Sequence, residues 1–323
     1  MKKTSWLLLL ALSPAAVDHA LSQSKVEDSA RDAAYACPRP APADLVKRAA
    51  ELYPSKHDKN KLACAADLFF DAAQAMPADP ALAVQALLVT ADYIDHVNTL
   101  ADFDLYGIHQ GEWSARLEHA VAQGRVLDAR LAASGVKEPT LLAARALFTL
   151  SANAKTADAK TQMAGSRDAM GLLGEATAAD PAMLNGAALL TLARLYFDLP
   201  EFAGGDADKA AELLEQALKV APGNPSVLRY AAYVRAQGHD PSGAAKLLTA
   251  LAEVKVGPED QQLLADEWRN GRDLAIRLQQ EPLWQTLEAR RQALLKQHPE
   301  LLTRASVAAN MHGGVDPLTG KPY

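Results

Sequence analysis

The chain has 323 residues, of which 49% are apolar and 6% aromatic, and its formal net charge is −6. That length suffices to bury one large core or two smaller ones. Alanine and leucine supply most of the apolar content and favour packed helices over sheets, while the acidic balance without clustered Lys or Arg argues against a nucleic-acid partner. We therefore expect an all-α protein that does not bind nucleic acid.

The first 22 residues have the layout of a secretory signal peptide. Lys2 and Lys3 precede a short apolar run, and both Ala20-Leu21-Ser22 and Ser13-Pro14-Ala15 fit a small-x-small cleavage site. An uncleaved anchor is the alternative, but the apolar run is far shorter than the ~20 residues that a membrane-spanning helix needs. We expect residues 1–22 to be removed, the mature chain to be periplasmic and without a transmembrane segment, and residues 23–41 to form a Pro/Ala-rich linker.

Cys37 and Cys64 are the two cysteines of the chain. In an oxidising compartment an isolated pair is most simply a disulfide. The bridge would close a loop of about 27 residues, which stabilises the fold by ~3 kcal/mol on the chain-entropy estimate. A metal or redox pair is the alternative, but the sequence offers neither a CxxC motif nor a histidine at ligand spacing. We expect a disulfide, and neither a metal nor a cofactor.

A helical stripe recurs after 34 residues. Asp206 is a good helix N-cap, and the residues after it repeat apolar side chains at the i, i+3, i+4, i+7 spacing of a helix with one buried face. The stripe consists of Ala210, Leu213, Leu214 and Ala217, and its shifted copy consists of Ala244, Leu247, Leu248 and Leu251 behind Asp240. Thirty-four residues is the period of a tetratricopeptide unit, which is a pair of antiparallel helices.

Other parts of the chain repeat the stripe and its boundaries. Further copies are Ala65, Leu68, Phe69 and Ala72, and Ala169, Leu172, Leu173 and Ala176. An Asp or Asn precedes proline at 79, 180, 224 and 240, where the polar residue caps a helix and proline takes its first position. These signals predict helices near 42–53, 58–76, 80–97, 111–133, 138–152, 158–179, 181–199, 206–220, 225–237, 241–254, 259–280 and 282–305. We thus expect a helical-repeat domain over 42–305, irregular at about 98–160, and an extended tail over 306–323.

The pattern resembles the second helix of a tetratricopeptide repeat, in which a small residue, a large residue and a small residue precede a turn proline. Ala65, Phe69, Ala72 and Pro77 fit it, and Leu192, Ala193 and Tyr196 fit the first helix. Residues 199–224 also resemble the T-component family of tripartite ATP-independent periplasmic (TRAP) transporters. The first resemblance implies an α-solenoid of stacked helix pairs, and the second implies a periplasmic protein that pairs with a substrate-binding protein.

Two sets of residues are candidates for a site. Arg194 and Phe197, with Arg229 and Tyr233, should face the concave side of the solenoid, where a cation beside an aromatic ring suits a peptide or a carboxylate. The alternative is that Phe197 and Tyr233 only pack. The second set is Asp92, His96, His109 and Trp113, in a segment that departs from the repeat, and its alternative is a helix end with an ordinary Asp–His hydrogen bond.

The motifs of common enzymes, GxGxxG, GxxxxGK[ST], HExxH and GxSxG, are missing from the sequence. We therefore expect a non-enzymatic scaffold in the periplasm, an accessory subunit of a transport or envelope complex with a protein partner. One alternative is a soluble carrier of a small apolar ligand in a cavity between helices. The other is an enzyme that uses the 92–113 segment.

Overall fold

The computed structural model describes residues 37–55, 58–103, 110–156 and 158–301, which are all-α with no β-strand among them. The helices are α1 (Leu45–Leu52), α2 (Lys59–Ala75), α3 (Pro80–Phe103), α4 (Gln110–Ala133), α5 (Pro139–Thr156), α6 (Ala159–Ala179), α7 (Ala187–Asp198), α8 (Ala207–Val220), α9 (Pro225–Gln237), α10 (Pro241–Ala252), α11 (Gln261–Arg277) and α12 (Glu281–Gln297). The fold class predicted from the sequence is confirmed.

Side-chain caps set where several of these helices begin. Asp206 Oδ1 accepts a hydrogen bond from Lys209 N at 2.9 Å, and Asp240 Oδ1 accepts one from Gly243 N at 2.8 Å. Asn224 does the same for the first turn of α9, whose first residue is Pro225. The cap that recurs after 34 residues is therefore confirmed, and it satisfies backbone N–H groups that have no partner inside the helix.

Consecutive helices pack as pairs, from α1 with α2 to α11 with α12. The alanines of the repeated stripe lie in the interior, where Ala65, Ala72, Ala210 and Ala244 are all fully buried. We call the odd-numbered helix of each pair its first helix and the even-numbered one its second helix. First helices of successive pairs also contact each other, for example α3 with α5 and α9 with α11. Among second helices, α2 contacts α4 and α10 contacts α12. The pairs thus stack into two layers, as expected of an α-solenoid.

The first helices of successive pairs pack against each other more extensively than the second helices do. In a solenoid the inner arc is the shorter one, so we expect the first helices to form the concave layer. The charge of Arg194 on α7 also acts on the carboxyl of Asp95 on α3.

The predicted helix over 181–199 is wrong at its start. Met183–Gly186 is a 3-10 turn, and α7 begins only at Ala187. Leu184, Asn185 and Gly186 have φ values of 51°, 53° and 76°, which a right-handed helix does not allow. The turn positions the Asn185 carbonyl to accept a hydrogen bond from the Asn224 side chain at 2.8 Å, which joins this connection to the cap of α9.

The last predicted helix is also too long. It ends at Gln297 instead of 305, because Pro299 disfavours helical backbone at His298. The helix predicted over 80–97, in contrast, continues to Phe103.

Cys37 and Cys64 form the predicted disulfide. The signal peptide at 1–22, the part of the linker up to residue 36 and the tail at 306–323 lie outside the described residues. No helix in the described ranges is both long enough and apolar enough to span a bilayer.

Candidate functional site

Three aromatic rings from two neighbouring first helices form one cluster. Phe197, in the last turn of α7, lies edge-on to Tyr230 and Tyr233 of α9, with ring centroids 6.2 and 5.9 Å apart. The two tyrosine centroids are 5.7 Å apart. Tyr230 is buried and the other two rings are half-buried, so Phe197 and Tyr233 remain partly accessible. Tyr233 also packs against the core of the last pairs.

Two arginines approach the Tyr230 ring. The Cζ of Arg194 is 5.0 Å from the ring centroid, and that of Arg229 is 5.4 Å from it. Both distances are within the range of a cation–π contact. The structure therefore brings the four residues singled out in the sequence (Arg194, Phe197, Arg229 and Tyr233) around a fifth residue, Tyr230.

Only one of these arginines forms an ion pair with an acid in the described part of the chain. Arg229 Nε donates a 2.7 Å hydrogen bond to Glu267 on α11, whose side chain is 8% exposed and also accepts from the Ser226 hydroxyl at 2.7 Å. Arg194 is exposed and makes no hydrogen bond or ion pair to any residue in the described ranges. Its guanidinium thus keeps all its N–H donors available to a ligand while the Tyr230 ring supports it.

Acidic groups border this cation. Asp198, one turn beyond Arg194, accepts a 3.0 Å hydrogen bond from the Tyr230 hydroxyl. Burial raises the pKa of that hydroxyl, and the negative charge of Asp198 raises it further. Tyr230 therefore stays neutral and donates its proton to Asp198, which fixes the orientation of the ring under Arg194.

Asp95 of α3 is the second acid near Arg194. It is open to solvent but surrounded by protein, as expected on the wall of a concave groove. This partial desolvation raises the pKa of Asp95 to about 6, and Asp92 adds to the rise, whereas a hydrogen bond from Ser151 and the charge of Arg194 lower it. Asp95 therefore changes its charge close to neutral pH, within electrostatic range of the ligand-accessible arginine.

Tyr53, at the end of α1, joins α1 to α3. Its hydroxyl donates a 2.5 Å hydrogen bond to Asp92 on α3. Burial raises the pKa of the Tyr53 hydroxyl, and the charge of Asp92 raises it further. Tyr53 therefore stays neutral and keeps its proton in the hydrogen bond to Asp92.

The second candidate set is only partly described. Asp92 and His96 lie one turn apart on α3, and Asp92 is engaged by Tyr53. His109 lies outside the described residues, and Trp113 lies on α4 with its side chain outside them. Within the described part of the chain, no three His, Cys, Asp or Glu residues are arranged to hold a metal ion.

The geometry of the aromatic cluster discriminates between ligand classes. In an aromatic cage, an organic cation lies about 5 Å from the centroids of two rings and faces both of them. If the two rings are perpendicular, their centroids are then about 7 Å apart. Here the centroids are 5.7 to 6.2 Å apart and the rings fill one another's faces. The cluster is therefore too tight for a cage, and the chemistry that it offers is an anion contact at Arg194 beside apolar ring edges.

Sequence reasoning missed Tyr230 and Glu267, and it placed Asp95 in the 92–113 segment without connecting it to this cluster. Tyr230 follows Arg229 directly, and its place between two candidate residues on one helix was a signal that could have found it. Glu267 is 38 residues from Arg229 and Asp95 is on another pair, so no local pattern connects them to the cluster.

No protein-family model matches the chain, and no curated protein matches it.

Proposed function

We propose that this chain is an exported binding protein of tetratricopeptide type, whose concave face receives an anionic, partly apolar segment of a protein partner. It acts without catalysis, as a periplasmic accessory subunit of a transport or envelope complex. Its signal-peptide layout supports export, and the resemblance of residues 199–224 to TRAP T-components supports the link to transport.

The observation that carries the proposal is the state of Arg194. A guanidinium that is exposed, unpaired among the described residues and 5.0 Å from the centroid of a buried tyrosine is positioned in advance for a carboxylate. An arginine held in this way loses little side-chain entropy on binding, because its planar donors are already oriented. Phe197 and Tyr233 offer an adjoining apolar surface to the rest of the same segment.

The same wall argues against a carrier for a purely apolar ligand. Such a ligand would remove water from Arg194, Asp198 and Asp95 without offering them hydrogen bonds in return, and burying unpaired charges is costly. A partner segment that carries its own carboxylate compensates Arg194 and leaves the flanking acids hydrated.

Native mass spectrometry of the protein purified gently from its own host tests the proposal. The wild type should carry a second protein, whereas Arg194→Gln should lose most of it. Arg125→Gln is the matched control, because Arg125 is also exposed but lies on α4, a second helix. A bound small molecule without a protein would support the carrier instead. If both variants retain the second protein equally, Arg194 does not contribute to the binding site.

A further inference from the structure

Phe202 is the most exposed large apolar residue in the described part of the chain, at 78% exposure. It lies in the 3-10 turn Glu201–Ala203, in the connection between α7 and α8. Single exposed apolar residues are common on protein surfaces, so its exposure alone indicates nothing about function. The construction of the loop around it is what makes Phe202 informative.

The loop over 199–205 is held by a dense set of backbone hydrogen bonds. Pro200 O accepts from Ala203 N at 2.8 Å and from Gly205 N at 3.1 Å, and Asp206 N donates to Tyr196 O at 2.7 Å. Arg167 of α6 reaches across and donates to the carbonyls of Phe202 and Ala203, at 3.2 and 3.4 Å. Both ends of the turn and its centre are therefore fixed to neighbouring helices.

Two glycines allow this shape. Gly204 has a φ of 105°, a left-handed conformation that side chains disfavour. A Cβ on Gly205 would lie 1.8 Å from the Leu199 carbonyl oxygen, so only glycine fits there. The loop thus has one well-defined conformation and does not sample many.

The fold does not use the Phe202 ring. Ala203, which is 1% exposed, is the residue that anchors the turn in the core, and the contacts of Phe202 with α6 are made by its backbone carbonyl. A polar residue at 202 would fold equally well and would be better hydrated. A rigid loop that holds an aromatic ring in solvent has the properties of an interface anchor. Because the loop is already ordered, it loses little conformational entropy when a partner binds.

The charges around the ring indicate what kind of surface it meets. Glu201, Asp206 and Asp208 lie in the loop or just after it, and all three acids are exposed. The nearby positive charges are engaged, because Arg167 donates to the carbonyls of the turn and Lys209 forms a 2.9 Å ion pair with Glu212. The segment that carries the ring is therefore net negative, which favours a positively charged counterpart and disfavours an acidic one.

We propose that Phe202 is the anchor of a protein-docking surface, and that it inserts into an apolar pocket bordered by Lys or Arg on a different protein. This surface is separate from the Arg194 site, because it uses the connection after α7 and none of the residues that contact Tyr230 through a ring or a guanidinium. The docking proposal can therefore be tested independently of the binding function proposed for the concave face.

Site-specific photo-crosslinking in the native host tests this surface. A benzophenone amino acid replaces Phe202 in one variant and Val136 in another, and Val136 is a suitable control because it is an exposed apolar loop residue at 45% exposure. We expect a discrete adduct with a different protein from position 202 and none from 136. The crosslinked peptide of that protein should map to an apolar pocket with neighbouring Lys or Arg.

The partner identified in this way is then purified and its affinity measured by calorimetry. Phe202→Ala should weaken binding at least tenfold. The single variant Glu201→Lys should also weaken binding, and more strongly at low salt than at high salt. Val136→Ala should change the affinity less than twofold. The melting temperature of Phe202→Ala should equal that of the wild type, which separates docking from folding. No adduct, an adduct between two copies of this chain, or equal binding by Phe202→Ala would each overturn the proposal, whatever happens at Arg194.

Discussion

Replacing Glu267 by alanine removes the acid that joins α9 to α11 at the concave wall. Its two oxygens each accept one 2.7 Å hydrogen bond, from Arg229 and from Ser226. The Arg229 side chain is 15% exposed, so it would be left as a nearly buried cation without a counter-ion. Breaking a buried ion pair on one side costs about 3 to 5 kcal/mol, most of it the unmet desolvation of the remaining charge.

The assay is urea unfolding followed by far-UV circular dichroism, with the free energy taken from the midpoint at constant slope. Glu253→Ala is the matched control, because Glu253 pairs with Arg290 at 2.9 Å but the two side chains are 66% and 50% exposed. An exposed pair contributes about 0 to 1 kcal/mol. We therefore expect Glu267→Ala to destabilise the protein by about 2 to 5 kcal/mol more than Glu253→Ala does.

The double variant Arg229→Met/Glu267→Met checks the cause. With both charges gone, no ion is left buried and unpaired, so most of the lost stability should return. If Glu267→Ala costs no more than Glu253→Ala, or if the double variant is as unstable as the single one, the reasoning about this buried pair is refuted.

Three further predictions concern other buried or titrating groups. Arg291 is 1% exposed, its Nε and Nη1 lack a hydrogen-bond partner among the described residues, and burial lowers its pKa. Its Nη1 lies 3.5 Å from Glu288, but Glu288 would keep a closer partner in Arg272, at 2.9 Å. Arg291→Met should therefore raise stability by about 1 kcal/mol or more in urea, and a loss would contradict this. Because the pKa of Asp95 is raised to about 6 in the folded protein, the stability it confers is complete below its unfolded pKa of about 4 and is lost as the pH rises through 6. Asp95→Asn should flatten that pH dependence and stabilise the protein at pH 7, as measured by melting temperature across pH 4–8. Ala210→Leu should overpack a fully buried crossing and cost about 1 to 3 kcal/mol, whereas a neutral effect would mean that the crossing is loose.

Local signals in the sequence predicted the helices well, because each helix boundary is a local chemical event. Asp240 and Pro241 specify a cap and a first turn wherever they occur, and the alanine stripe specifies which face packs. The turn before α7 was missed although Asn185-Gly186 is a recognised turn dipeptide. The preceding Asp180-Pro181 also indicates the start of a helix. The prediction used that cap alone and disregarded the turn signal at Asn185-Gly186.

The site was less predictable because it forms between pairs. The 34-residue period places Arg194 and Arg229 near each other, so a groove with cations follows from the repeat. Which of the two arginines is neutralised depends on Glu267, one pair further along, and no periodicity assigns that acid to Arg229. The raised pKa of Asp95 depends on curvature, and curvature is a sum of small rotations that the sequence pattern does not report.

Hydrogen–deuterium exchange of the protein with and without its native partner would test the central claim, which is that the partner binds the concave face at the Arg194 cluster. The loaded protein comes from its own host, and the unloaded protein from a foreign one. We predict that loading slows exchange in peptides covering 189–199 and 225–235, which hold the ends of α7 and α9, and leaves 241–252 of the outer helix α10 unchanged. Protection confined to α10 and the other second helices would place the partner on the convex face and contradict the account.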